Sequence, residues 1–144
     1  MNITTVPGAI DITNLIVITA ALLVVVLGAG LVLRRRPRKL DTKRFQSRWL
    51  ILQRLCANDE TWPLAIIDAD KLLDEALKRS GFRGRTMGER LVAAQRSLSD
   101  NDGVWFGHKL RNRIVHEETM KLRKRDVQAA LRGFRNALHD LGAL

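Results

Sequence analysis

Between Leu15 and Leu33 the sequence reads LIVITAALLVVVLGAGLVL, 19 positions without a charge, and the basic run RRRPRK follows at once from Arg34 to Lys39. At about 1.5 Å of rise per residue, a helix of that length matches the ~30 Å hydrocarbon core of a bilayer. A cleaved secretory signal would carry its positive charges before the apolar stretch and end in a small-residue cleavage site, whereas here the first positive charges come after it. The segment is therefore expected to be a retained single-pass anchor in the cell membrane. Residues 1–14 would form a short tail outside, and the positive-inside rule sends everything from Arg34 onward into the cytoplasm.

Charge divides the chain at the same place. Met1 to Leu33 hold one acid, Asp11, and no Lys or Arg, so the remainder carries 25 basic and 14 acidic residues of a chain whose formal charge is +10. A balance of this kind suits anionic partners, whether phosphate backbones or lipid headgroups. Arg34, Arg35, Arg36, Arg38 and Lys39 can contact anionic lipid as well as fix topology, and Pro37 marks residues 34–40 as a juxtamembrane linker. The single cysteine, Cys56, excludes an intramolecular disulfide and reads as a small core residue. Neither HExxH nor CxxC occurs, no glycine-rich phosphate loop is present, and no cofactor or metal is expected.

Past the linker, residues 41–144 are helical in pattern throughout. Phe45, Trp49, Leu52 and Cys56 line one face at helical spacing. NDETWPLAII supplies a stop and a start with Pro63 in a first turn. The next helix buries Trp62, Ile66, Ala69, Leu73, Ala76 and Leu77, stops at Gly81, and turns Asp68, Lys71, Asp74, Glu75 and Lys78 outward as ion-paired surface. Thr86, three residues ahead of Glu89, opens a third helix with Met87, Leu91, Ala94 and Leu98 on its stripe. SDNDG, Ser99 to Gly103, reads as a turn, so the fourth helix is expected from about Val104 and the fifth, after KLRKRD, from about Val127 to Leu141. With no run of period two, the expected fold is all-α, one transmembrane helix followed by a four- or five-helix bundle.

The stretch LRNRIVHEE, Leu110 to Glu118, carries chemistry that helix formation does not need. At 100° per residue, His108, Asn112 and His116 fall within roughly 80° on one edge, flanked by Arg111 and Arg113. Arg offers a permanently charged fork for phosphate oxygens, His exchanges protons near neutral pH, and Asn can orient either. A phosphodiester beside a 2′-hydroxyl needs a base for the hydroxyl proton and a cation for the crowded phosphorus, which this set provides. The other reading is an interhelical clamp, with Arg111 on a carboxylate of the second bundle helix and Asn112 on a loop carbonyl.

Arg111-Asn112-Arg113-Ile114-Val115-His116 resembles the R-x4-6-H motif of the HEPN superfamily, small helical bundles in which the motif lies on a late helix followed by one more. The resemblance implies a metal-independent endoribonuclease site assembled where two protomers meet, hence a homodimer. It also implies that His116 acts as general base or acid, that Arg111 holds the scissile phosphate, and that Asn112 positions them. Arg113 would be a second phosphate contact, with His108 beside it. Lys121, Arg123, Lys124 and Arg125 either extend a path for RNA or simply begin a solvated helix. The competing functional class is a non-catalytic, membrane-anchored module for dimerisation or protein docking, for which Trp62, Trp105 and Phe106 are candidate anchors.

Overall fold

Apolar residues recurring every three to four positions give each segment after Leu40 one face to bury, and five helices satisfy that requirement mutually. The computed structural model describes residues 12–33, 40–117 and 120–144, with side chains over 14–28, 40–117 and 120–144. The helices are α1 (Ile12–Leu33), α2 (Thr42–Leu55), α3 (Trp62–Arg79), α4 (Met87–Ala94), α5 (Asn101–His116) and α6 (Lys124–Asp140). Among the described residues there is no strand. Two compact units divide the chain, α1 in one and α2 to α6 in the other.

Along α1 the described side chains from Asn14 to Gly28 are exposed, Leu22 and Val24 by about two thirds. Among the described residues no helix is long and apolar enough to cross a membrane. The expected span Leu15–Leu33 falls within α1. The expected tail, apart from Ile12 to Asn14, and the linker cations Arg34, Arg35, Arg36, Arg38 and Lys39 lie outside the described residues. Leu40, expected at the end of the linker, is instead a buried part of the bundle core.

In the bundle α3 is central, touching α2, α4, α5 and α6, and α5 packs along α6. Phe45, Ile66, Leu72, Leu73, Leu77, Leu91, Val104, Phe134 and Leu138 are fully buried. At the α5–α6 crossing no side chain fits: a Cβ on Gly133 would stand 2.3 Å from the Gly103 backbone, and one on Gly107 2.7 Å from the Phe134 ring. Both α3 and α6 end in a left-handed glycine, Gly81 at φ 88° and Gly142 at φ 70°. Around Gly81 the amides of Gly81 and Phe82 reach back to the carbonyls of Lys78 and Leu77, so the last turn keeps its hydrogen bonds.

Two helix starts differ from expectation. Helix α5 begins at Asn101, three residues before Val104, because Asp100 caps it with Oδ1 accepting from the Gly103 amide at 2.9 Å. The turn signal in SDNDG was in large part a capping signal. Helix α6 begins at Lys124 and not Val127, since its first turn, Lys124 to Asp126, is polar and shows no apolar period. The outward carboxylates of α3 do form the expected pairs, Lys78–Asp74 at 2.7 Å and Arg79–Glu75 at 2.9 Å. They also take partners from other elements: Glu75 receives Arg44 at 3.1 Å and Arg48 from α2. Asp74 receives the buried Arg90 from α4 at 2.6 Å.

Candidate functional site

Between α3, the start of α4 and α5 lies an open cleft of about 470 Å³. Its floor is a polar ring that begins on Asp70, a residue of α3 only 4% exposed. Asp70 sits four residues after Ile66 and three before Leu73, so helical register carries a carboxylate into the apolar face. A buried charge needs partners. The Asp70 carboxylate finds His108 of α5, whose Nδ1 is 2.8 Å from Oδ1.

Hydrogen-bond chemistry fixes the direction of the ring. Arg111 can only donate, and its Nη1 lies 3.1 Å from Asn112 Oδ1. The amide oxygen being occupied, Asn112 Nδ2 faces His108 Nε2 at 3.4 Å and donates to it. A bare Nε2 places the ring hydrogen of His108 on Nδ1, where an ionised Asp70 can only accept. Donors thus run from Arg111 through Asn112 and His108 to Asp70. Arg111 Nε stands 3.6 Å from Asp70 Oδ2, near enough for attraction and too long for a hydrogen bond, so that buried Nε has no hydrogen-bond partner among the described residues.

The cleft side of His108 is kept open by Gly88 on α4. A Cβ there would lie 4.0 Å from Nε2 and 3.6 Å from Trp105, whose ring meets His108 edge-on with centroids 6.0 Å apart. Arg90 is only 5% exposed and ties α4 to α3, its Nε 2.6 Å from Asp74 Oδ1 and its Nη1 2.5 Å from the Gly84 carbonyl. Gly84 must be glycine for that approach, because a Cβ would come within 2.8 Å of the Arg90 amide. Lys71 and Arg85 stand exposed at the rim. The lining cations Lys71, Arg85, Arg90 and Arg111 outnumber Asp70 and Asp74, so the cleft carries net positive charge. Such a site suits a phosphate ester, with a proton-accepting nitrogen beside the cation that would hold it.

Of the residues expected to act together, Arg111, Asn112 and His108 meet in the cleft, and His116 does not line it. His116 ends α5 exposed, two turns beyond His108. Arg113 points away and pairs with Glu117 at 3.1 Å; that carboxylate, by hydrogen bond and charge, raises the Arg113 pKa above its ordinary value. Lys121 and Arg123 lie exposed before α6, and Lys124 and Arg125 in its first turn, with Arg125 3.4 Å from Asp126. Trp62 and Trp105 are half-buried, the Trp62 indole donating to the Cys56 carbonyl at 3.1 Å, while Phe106 is 41% exposed. Burial pushes the Cys56 thiol pKa up. Among the described residues no group of three or more His, Cys, Asp or Glu side chains could hold a metal ion.

Asp70 and Arg90 are the site residues that motif reading misses. Comparison with models of protein families, with curated proteins and with solved structures finds no match.

Proposed function

We propose that the bundle is a HEPN-like domain that binds RNA and cleaves it without a metal, by attack of a 2′-hydroxyl on the adjacent phosphate. It would work tethered to the cytoplasmic face of the cell membrane. The observation that carries this reading is the gathering of Arg111, Asn112 and an Asp70-held imidazole in an open cationic cleft. Arg111 supplies the fork for the scissile phosphate, and Lys71 and Arg85 meet flanking phosphates. The exposed cations Lys121, Arg123, Lys124 and Arg125 follow α5 in the chain and extend the path for the strand. The membrane part of the reading rests on the uncharged run Leu15–Leu33 and the basic residues after it. The dimer rests on the resemblance of Arg111 to His116 to the superfamily motif.

A second reading, a helical module that docks a protein or a second copy, is favoured by Leu50 and Ile51, adjacent on α2 and 58% and 57% exposed. The full chain in detergent micelles, incubated with a labelled mixed-sequence RNA in the presence of EDTA, separates the two. Products ending in a 2′,3′-cyclic phosphate, lost in Arg111→Ala, are the expected result. Intact RNA with a folded dimer would move the assignment to the docking module.

A further inference from the structure

We propose that His108, positioned by Asp70, is the imidazole that meets the substrate, and that His116 stands outside the reacting centre. The inference rests on the RNA-cleaving reading and departs from its motif, which points to His116. Three features single out His108. It is the histidine that lines the cleft. Its Nδ1 is held at 2.8 Å by a carboxylate with 6% side-chain exposure, which fixes the ring with Nε2 toward the Asn112 amide and Gly88. The space next to that nitrogen is left open by Gly88. His116 has none of these: it is exposed, at the last turn of α5, with no side-chain hydrogen bond among the described residues.

In the step this arrangement serves, the 2′-hydroxyl takes the place of the Asn112 amide, which lies 3.4 Å from His108 Nε2; Nε2 receives the hydroxyl proton and the 2′-oxygen bonds to phosphorus. The bond from phosphorus to the 5′-oxygen breaks, and that oxygen takes a proton from water. The products are a 2′,3′-cyclic phosphate and a 5′-hydroxyl, and the imidazolium then returns its proton to solvent. Arg111 faces the non-bridging oxygens, whose charge grows as the fifth bond forms. Asp70 acts through His108 as a positioning residue, keeping the hydrogen on Nδ1 and compensating the imidazolium.

The test uses the full chain in micelles and four variants. Cleavage should fall about a hundredfold or more in His108→Ala, the scale of a lost general base, and stay within about twofold in His116→Ala. His108→Ala melts lower because it strips the buried Asp70 of its partner, so both are assayed well below their melting temperatures with helical content unchanged. Gly88→Leu, which adds a good helix former and fills the space over Nε2, should lose cleavage while melting no lower than wild type. Asp70→Asn should shift the neutral His108 ring toward the Nε2–H tautomer in ¹⁵N spectra of histidine-labelled protein. The opposite pattern, with His116→Ala inactive and His108→Ala active, would overturn the assignment and leave RNA cleavage standing. If wild type does not cleave, titration with a 2′-O-methyl RNA dinucleotide still decides. A moving His108 ring resonance with a still His116 upholds the cleft as the site; a moving His116, or no movement at His108, sinks it.

Discussion

Asp70 has no neighbour on its own helix that needs it; its partners, His108 and Arg111, lie on α5 and come within 2.8 and 3.6 Å. Removing the carboxylate leaves the Nδ1 hydrogen of a half-buried imidazole without its acceptor and a guanidinium without its nearby counter-charge. Asp70→Ala should therefore cost about 1–3 kcal/mol of stability, measured by denaturant unfolding with the slope unchanged. A loss of a few tenths would mean that water replaces the carboxylate. The same residue explains what the sequence could and could not tell. Arg111, Asn112 and His108 were legible because they share one helix edge and helical angle alone brings them together. Asp70 was not, because its partner stands 38 positions away and no local period records that distance. The one available signal is an acid lying in the Ile66 to Leu73 stripe. His116 shares the edge with Asn112, yet the helix ends there and it does not line the cleft.

At the scale of elements, the α2–α3 contact is a clamp of arginines on one carboxylate, with Arg44, Arg48 and Arg79 all meeting Glu75. Partial burial by itself would raise the Glu75 pKa, and the hydrogen bonds and charges of Arg48, with Arg44 and Arg79, outweigh it and bring the pKa below its ordinary value. A carboxylate with a depressed folded pKa stabilises the fold above its unfolded value of about 4.3 and loses that contribution as pH falls through the folded value. Glu75→Gln should accordingly lower stability by on the order of 1 kcal/mol near neutrality and by progressively less below about pH 4.3, read from melting curves across that range. A difference independent of pH would remove ionisation from the account. The helices themselves were largely legible, since apolar stripes name α2, α3 and the body of α6. Their ends were legible where a cap spoke clearly, as at Thr86 and Gly81. The start of α5 differs from expectation because Asp residues announce turns and caps alike, and only the amide that donates to the carboxylate, here that of Gly103, tells which.

For the whole molecule, the formal charge of +10 combines with a bundle whose exposed cations are spread over α2, the cleft rim and the start of α6. RNA held by these groups should dissociate steeply with salt, the logarithm of affinity falling by about 0.7 per phosphate contacted for each unit in the logarithm of salt concentration. Filter binding at several salt concentrations with the full chain checks this, and replacing Lys71 and Arg85 together by Gln should reduce the slope by about 1.4 if each meets one phosphate. An all-helical architecture followed directly from the absence of any period-two run, whereas the division into two units followed from basic charge, which is absent before Arg34 and crowds after it. Within the larger unit the donor chain from Arg111 to Asp70 has a polarity, and polarity makes it a relay with two settings. A proton arriving on His108 Nε2 turns that nitrogen from acceptor to donor and faces it with the donating amide of Asn112. Turned by half a turn, the same amide would offer its oxygen to the imidazole and none to Arg111. One amide thus serves both side chains, and the way it is turned decides what each of them is offered.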